Sequence, residues 1–509
     1  FIDCGAVATL ARACVIFNGV IMADDAAVTN SATENNTASS APSPAAESSA
    51  APASATSTIP SRASFPGAFC GVPYDDAHAV AKINFKQLAA DAVSDNADTA
   101  QTAVDALREI GPGGWTALYA ANKEKIEQHV KEGATRSTEP DWQRLRTALD
   151  NVAGQRDSLS SHLFWYTDFD AAKKAAKAMG KPILSLRMLG KLTDEFSCAN
   201  SRFFRSTLYA NEEIGRVLRE QYVLYWQSVR PVPKVTIDFG DGRKLERTLT
   251  GNSIHYILGS DGRVIDALPG LYGPKAFLRG LADARTEFVA LNSLDEATRT
   301  EWLRKYHSDH STALLTQWQS ELQSLGLLPI EATKVAEATD ASVPQAVKAN
   351  RVAVPKFKIE QPMVAAALAD PKMLNEKTDD AVWGRLAELH KDDAELDQVS
   401  RSFIASQNPT AGRAAALAIS KRAVENPMVK LFRNFQQTIA IDTVRNEYTF
   451  HQQIHQWLAD PGMPLDIPVN DLNDRVYAQL FLTPSTDPWL GLIPGDVYTA
   501  LDDNGVCQK

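Results

Sequence analysis

Residues 168–189 read DFDAAKKAAKAMGKPILSLRML, and a helical pattern passes directly into a strand pattern within them. Apolar residues in its first half recur at helical spacing and form one face, made of Phe169, Ala172, Ala176 and Met179. Thr167 is placed to cap a helix that begins at Asp168, and Gly180-Lys181-Pro182 ends that helix. The apolar run that follows, residues 183–186, is typical of a buried strand. The stretch therefore predicts a helix followed by a strand.

The sequence continues to alternate between helical and strand patterns up to about residue 290. The predicted elements are a helix over about 200–220, strands over 222–226, 234–239, 253–258 and 263–268, and a last helix that begins near Pro274. Ser260-Asp261-Gly262 is a hairpin signal between the last two strands. Helices and strands in this order predict an α/β layer.

Both flanks of this region have helical periodicity, and a chain of 509 residues is too long for a single core. The sequence therefore predicts a multidomain protein in which an α/β domain is flanked by all-α regions. The predicted parts are a signal peptide or anchor over 1–23, a disordered tether over 24–64, a small helical domain over 65–160, the α/β domain over 161–290, a helical connector and linker over 291–362, and a helical C-terminal domain over 363–509.

The N-terminal composition predicts export. Residues 6–23 are largely apolar, which is typical of a secretory signal peptide, and an uncleaved membrane anchor is the alternative. Residues 24–64 are mostly Ala, Ser, Thr, Pro and Asn, a composition with too little apolar surface to fold. We therefore expect a periplasmic or secreted protein, and a membrane tether through the N-terminus stays open.

Charge and cysteine content limit the partners. The 62 acidic and 52 basic residues are spread along the chain and give a formal net charge of -10, which argues against nucleic acid as the main partner. Cys4 and Cys14 fall in the predicted signal peptide. The remaining three, Cys70, Cys198 and Cys507, are odd in number, so at least one stays unpaired. A bridge between Cys70 and Cys507 in an oxidising compartment would leave Cys198 as the free thiol.

An ordered series of landmarks between Phe164 and Ala282 resembles the thioredoxin-like domains of exported proteins. The landmarks are the Ala- and Lys-rich helix before Gly180, the segment Cys198-Ala199-Asn200-Ser201, the segment over 209–214, the turn at Ser260-Asp261-Gly262 and the closing segment over 272–278. The family places its Cys-x-x-Cys motif where Cys198 lies. The resemblance implies a thioredoxin fold with its active site at this cysteine.

Two departures from the family pattern degrade that site. Ser201 replaces the second cysteine, and Ser253 occupies the position that the resemblance assigns to a cis-proline. The usual dithiol exchange is therefore excluded. His255 is predicted to share a strand face with Ser253 and is a candidate proton acceptor, with a structural core histidine as the alternative.

Cys198 keeps a chemical rationale of its own. A thiol at the start of a helix is favoured as thiolate by the unpaired N–H groups and the helix dipole. Arg202 and Arg205 on the same helix are expected to add positive charge, and Ser201 can donate a hydrogen bond to the sulfur. The alternative for Cys198 is a buried, inert cysteine.

Two functional classes follow from these residues. In the first, the degenerate thioredoxin-like domain and the helical regions act as a scaffold that binds protein partners and needs no cofactor; the missing cysteine and proline favour this class. In the second, the protein is a monothiol thiol-disulfide oxidoreductase that uses Cys198 and depends on an external thiol for release of its partner.

Histidine pairs supply a third, weaker hypothesis. Glu447, His451 and His455 share one helical face at positions i, i+4 and i+8, and two histidines one turn apart can bind zinc, copper or haem iron. His307 and His310 form a second pair. A polar stripe that hydrogen-bonds neighbouring helices is the competing interpretation, and the sequence favours it over a metal site.

Overall fold

Residues 168–189 form a helix followed by a buried strand, as predicted, in the computed structural model of the chain. The structure describes residues 84–249, 252–327, 352–367, 380–409 and 426–490. The predicted cap at Thr167 is wrong by one residue. The helix is capped by Asp168, because its carboxylate accepts a hydrogen bond from the N–H of Ala171 at 2.7 Å. Gly180 ends the helix in the left-handed region, at φ +62°.

The helices that precede this stretch enclose a core of their own. They are α1 (Phe85–Asp91), α2 (Ala97–Glu109), α3 (Pro112–Ala121), α4 (Lys123–Lys131), α5 (Pro140–Ala153) and the single turn α6 (Ser158–Ser161). Leu107, Trp142 and Leu149 are fully buried in this core. Gly111 has φ +81° and precedes a proline in the first turn of α3, so this Gly-Pro pair separates α2 from α3.

The helix α7 (Phe169–Met179) leads into a four-stranded mixed sheet. The strands of the chain are β1 (Ile183–Leu189), β2 (Val223–Arg230), β3 (Lys234–Asp238), β4 (Lys244–Thr248), β5 (Ile254–Leu258) and β6 (Val264–Pro269). The order across the main sheet is β2-β1-β5-β6, with β1 parallel to β2 and the other neighbours antiparallel. A separate antiparallel hairpin contains β3 and β4. The predicted α/β layer is confirmed at this level.

Two helices connect β1 to β2 where the sequence predicts one. They are α8 (Ala199–Thr207) and α9 (Glu212–Gln221). The break arises at Asn211, because its side-chain carbonyl accepts a hydrogen bond from the N–H of Ile214 at 3.0 Å and so caps a new helix. This break leaves α8 as a short helix that begins at Cys198.

A short segment covers the outer edge of β2. Tyr166 forms a parallel bridge with Tyr225. Its N–H donates to the carbonyl of Leu224 at 2.8 Å, and its carbonyl accepts from the N–H of Trp226 at 3.2 Å. Arg230, at the end of β2, also donates to the carbonyl oxygens of Thr483 at 3.1 Å and Asp487 at 2.8 Å. The edge strand β2 is therefore held by one segment that precedes it in the chain and one that follows it.

Helices make up the C-terminal part. They are α10 (Pro274–Leu291), α11 (Glu296–Ser324), α12 (Val354–Ala367), α13 (Asp380–Leu389), α14 (Gln398–Gln407), α15 (Pro427–Arg445), α16 (Gln452–Ala459) and α17 (Val469–Gln479), with a 3-10 turn over Lys391–Ala394 and a π-helical turn over Asn446–His451. Part of the predicted linker forms the start of α12, because Pro355 falls in the first turn, where its missing N–H costs no hydrogen bond.

One hydrophobic core joins the main sheet to these helices. Phe277 of α10 and Tyr477 of α17 lie in the same buried cluster as Leu186 of β1. The predicted regions over 161–290 and 363–509 are therefore packed together. The predicted signal peptide or anchor, the tether, Cys70 and Cys507 lie outside the described residues. Among the described helices, none combines the length and the apolar character needed to cross a bilayer.

Candidate functional site

Cys198 lies at the start of α8, as predicted, but its side chain is fully buried. The sulfur is 3.0 Å from Oγ of Ser253, which lies just before β5. The thiol also donates to Oγ of Ser201 at 3.5 Å. Two serine hydroxyls therefore flank the sulfur at the positions where the resemblance expects a second cysteine and a proline.

Ser201 has its own partners beside the thiol. Its hydroxyl lies 2.8 Å from Oγ of Ser197 and 2.8 Å from the carbonyl oxygen of Cys198. It accepts from the sulfur, whereas the sequence led us to expect the reverse direction. All three residues are fully buried, so this small hydrogen-bond network is closed to solvent.

His255 lies on β5, and its partner is a tyrosine. Its Nε2 is hydrogen-bonded to Oη of Tyr209 at 2.7 Å, and its ring lies between Phe204 and Phe277 with centroid distances of 4.6 and 5.0 Å. Burial lowers the pKa of His255 to about 3, so the ring is neutral at physiological pH. Within the described part of the chain, Nδ1 has no hydrogen-bond partner. The geometry thus makes Tyr209, and not the sulfur, the hydrogen-bond partner of His255.

The two arginines of α8 have different environments. Arg205 is buried and donates to the carbonyl oxygens of Leu192 at 3.0 Å and Asp194 at 2.8 Å, so it holds the loop that leads to Cys198. Arg202 donates to Oγ1 of Thr248 at 3.0 Å. Burial lowers the pKa of Arg202, and the nearby Cys198 opposes that change, so the two groups are electrostatically coupled.

A third cationic side chain interacts electrostatically with the thiol. Lys356 of α12 is fully buried. Burial lowers its pKa, while Glu360 and Cys198 favour its charged form. The sequence missed this residue because the segment that carries it was interpreted as a linker.

A second buried polar cluster surrounds Asp266 of β6. Its Oδ2 accepts from the hydroxyl of Tyr306 at 2.6 Å, and its Oδ1 is 2.9 Å from Nε2 of His451. His451 in turn has its Nδ1 3.1 Å from a carboxylate oxygen of Glu447. The two histidine pairs found in the sequence are brought together here, because Nδ1 of His455 lies 2.8 Å from Nδ1 of His307.

Opposing influences set the charges of this cluster. Burial would raise the pKa of Asp266, but His451 and His455 hold it below its usual range. Burial alone would lower the pKa of His451, but Glu447 and Asp266 raise it to about 10. Burial, with the charge of His451, lowers the pKa of His455 well below its usual value. In this structure the cluster is an imidazolium held between two carboxylates beside a neutral imidazole.

A cavity of about 320 Å³ borders this cluster. Its lining includes Asp266, Tyr306, His310, Glu447 and His451. The π-helical turn that carries Glu447 and His451 is a rare element, and such turns occur often at functional sites. Among the described residues, Asp266, His451 and His455 each place one possible metal-ligand atom within 4.8 Å of the other two.

Fold and sites together define a mixed α/β protein with an enclosed thiol and a buried cluster of histidines and carboxylates. No protein-family model, no curated protein and no solved structure matches the chain.

Proposed function

We propose that residues 161–290 form a thioredoxin-like domain. The order of elements supports the proposal, because β1 is central in the sheet and pairs with both β2 and β5. Cys198 begins the helix after this strand, a hairpin turn at Gly262 joins β5 to β6, and α10 closes the domain. These are the positions that the sequence resemblance implies.

The function that the geometry supports best is that of a scaffold that binds protein partners without thiol exchange. The observation that carries this proposal is the enclosure of Cys198, whose sulfur is fully buried and 3.0 Å from Oγ of Ser253. A thiol must reach its disulfide to attack it, and this one is covered. Export, to the periplasm or outside the cell, is proposed from the apolar residues 6–23 and the tether-like residues 24–64.

An exposed hairpin supplies a surface that supports a binding role. Phe239 follows β3 at the tip of the β3–β4 hairpin, and 55% of its surface is exposed. The hairpin forms its own two-stranded sheet and so presents this ring apart from the main sheet. Exposed aromatic side chains are enriched at protein interfaces, so Phe239 is the first residue to test for partner binding.

Alkylation of Cys198 under native conditions tests the scaffold proposal. We expect iodoacetamide to label Cys198 only at the rate at which the protein unfolds. Mass spectrometry measures the labelling. Partner capture by chemical cross-linking should be unchanged in Cys198→Ala and reduced in Phe239→Ser. Rapid labelling of the native protein, or partner capture that requires Cys198, would contradict the proposal.

A monothiol oxidoreductase remains the second candidate, and two cations favour it. Arg202 and Lys356 are electrostatically coupled to Cys198, and nearby positive charge favours thiolate. In this mechanism the Cys198 thiolate attacks a partner disulfide, one partner sulfur leaves as thiolate, and an external thiol later cleaves the mixed disulfide. A mixed disulfide trapped on Cys198 and released by glutathione would establish this candidate and exclude the scaffold proposal.

A further inference from the structure

Three side chains from separate elements converge in the core. Asp266 comes from β6, His451 from the π-helical turn and His455 from α16, and one ligand atom of each lies within 4.8 Å of the other two. Nε2 of His451 is 2.9 Å and Nε2 of His455 is 3.9 Å from Oδ1 of Asp266. A tetrahedral zinc ion with bonds of about 2.0–2.1 Å keeps its ligand atoms roughly 3.3 Å apart. The distance from Asp266 to His451 is shorter than this ligand separation, and the distance from Asp266 to His455 is longer.

Each of the three side chains is held by a further polar contact on its opposite side. Nδ1 of His451 faces Glu447 at 3.1 Å, and Nδ1 of His455 faces His307 at 2.8 Å. The second carboxylate oxygen of Asp266 accepts from Tyr306 at 2.6 Å. Metal-binding histidines typically use their second ring nitrogen in this way, which fixes the tautomer and the ring orientation. The outer contacts of a metal site are therefore in place.

Two buried nitrogens of the cluster, Nε2 of His455 and Nε2 of His307, have no hydrogen-bond partner among the described residues. Nε2 of His455 is inaccessible to solvent, and no described residue donates to it or accepts from it. Its nearest acidic atom is Oδ1 of Asp266 at 3.9 Å, too far for a hydrogen bond. Buried polar atoms without a partner are uncommon, and an ion is one of the ordinary explanations. Of these two nitrogens, the one on His455 belongs to the group of possible ligand atoms with Asp266 and His451.

We propose that Asp266, His451 and His455 bind one divalent transition-metal ion of the zinc type. Imidazole nitrogens are suited to zinc and its first-row neighbours, and a carboxylate completes a set of two nitrogens and one oxygen. When the ion binds, it takes the place of the proton that His451 shares with Asp266. Three protein ligands leave a coordination position open, and Asp266 and His451 both border the cavity, so this position is available to water or a small polar ligand.

An ion-paired network without metal is the competing explanation. In that case His451 is a buried imidazolium between Asp266 and Glu447, and the cluster only stabilises the packing of β6 against the helices. The network accounts for His451, but it gives no role to the unpartnered nitrogen of His455. The two explanations therefore differ in whether the wild-type chain binds zinc at this cluster.

Metal analysis of the full-length protein, purified without chelator or an affinity tag that binds metal, tests the proposal. We expect one equivalent of bound Zn²⁺ per chain by plasma mass spectrometry after dialysis against added zinc. His455→Ala and Asp266→Asn should each weaken zinc binding at least tenfold by calorimetric titration. His390→Gln is the matched control, because it removes a histidine from the wall of the same cavity without touching a ligand, and it should bind zinc as the wild type does.

X-ray absorption of the zinc-loaded wild-type chain keeps the test decisive where a variant fails to fold. Two imidazoles and one carboxylate on the zinc would support the site. A wild-type chain that binds no stoichiometric zinc, a spectrum with sulfur or fewer than two imidazole ligands, or undiminished binding in a folded His455→Ala protein would each overturn it.

Discussion

At the scale of single residues, His390 shows how charge is stabilised at the rim of the cavity. Its Nδ1 is 3.5 Å from Asp393 and its Nε2 is 3.0 Å from Glu321. Asp393 and then Glu321 raise the pKa of His390 to about 9, from an ordinary value of 6.5. Because the folded chain holds this proton more tightly than the unfolded chain, the stabilisation is complete below pH 6.5 and is lost as the pH rises through about 9.

We predict that His390→Gln lowers the free energy of unfolding by about 2 kcal/mol near pH 6, because the variant loses the charge interactions with Asp393 and Glu321. Water screens these partly exposed groups and keeps the loss below what the pKa shift alone implies. The difference between variant and wild type should shrink towards zero by about pH 10. Urea unfolding at both pH values measures it. A difference that stays constant with pH would mean that His390 acts through packing and not through its charge.

Sequence reasoning found the histidines of the cluster but not its aspartate. Helical spacing identified Glu447, His451 and His455, because residues one turn apart share a face. Nothing in the sequence singled out Asp266, which is separated from His451 by 185 positions and looks like one polar residue in a strand. Its role depends on how the last strand packs against the helices, and local patterns carry no information on that packing.

At the scale of elements, two glycines with opposite surroundings test how closely the helices pack. A Cβ on Gly273, before α10, would lie 2.2 Å from the carbonyl oxygen of Asp393 in the 3-10 turn. A Cβ on Gly384, inside α13, would have no atom within 4 Å. The first position excludes a side chain, whereas the second has no packing reason for glycine.

We predict that Gly273→Ala lowers the free energy of unfolding by about 1–3 kcal/mol, because the backbone of the 3-10 turn must move. Gly384→Ala should raise it by about 0.5–1 kcal/mol, because alanine is the better helix former. The urea midpoints of both variants, compared with that of the wild type, check the pair. Equal stability of Gly273→Ala and wild type would show that α10 and the 3-10 turn do not pack as described.

Element boundaries followed the sequence where glycine or proline marked them. Gly180 ends α7 where predicted, and the Gly111-Pro112 pair likewise marks the start of α3, because glycine and proline restrict the backbone conformation locally. The break between α8 and α9 was missed, although its signal was present: Asn211 is followed by Glu212 and Glu213, an order typical of a helix start. Apolar residues recur at helical spacing on both sides of Asn211, so the segment was predicted as one helix.

At the scale of the whole molecule, the sheet depends on the C-terminal helices. Tyr477 of α17 donates to the carbonyl oxygen of Asn252 at 2.6 Å, next to β5. Tyr256 of β5 donates to Oδ1 of Asn473 at 3.3 Å. All four residues are buried, so these hydrogen bonds and the apolar surfaces beside them are lost together if the helices are removed.

We predict that a chain shortened to end at residue 291 keeps the cooperative unfolding of the N-terminal helical core but loses the cooperative unfolding of the sheet. Its sheet would expose apolar side chains that α15 to α17 cover. The loss should be visible in the near-ultraviolet dichroism of the sheet tyrosines. Amide hydrogen exchange as slow in β1 and β5 of the shortened chain as in the wild type would mean that residues 161–290 fold by themselves, as the predicted domain boundaries imply.

The packing of the sheet and the C-terminal helices into one core could not be predicted from the sequence. Composition and periodicity located an α/β region and its helical flanks, since those signals are local. Contacts such as that between Tyr256 and Asn473 join residues 217 positions apart, and no repeat or motif marks them. Lys356 was missed for the same reason, because its burial depends on helices that are distant in the sequence.

The Tyr166 bridge on β2 has a consequence for self-association. Unpaired strand edges are templates on which other chains polymerise, and proteins commonly block them. Here the backbone of Tyr166 already uses the carbonyl of Leu224 and the N–H of Trp226, the groups that an incoming strand would need. An incoming strand, whether from an amyloid-like assembly or from a peptide partner, would therefore have to displace Tyr166 to pair with β2 at Leu224 and Trp226.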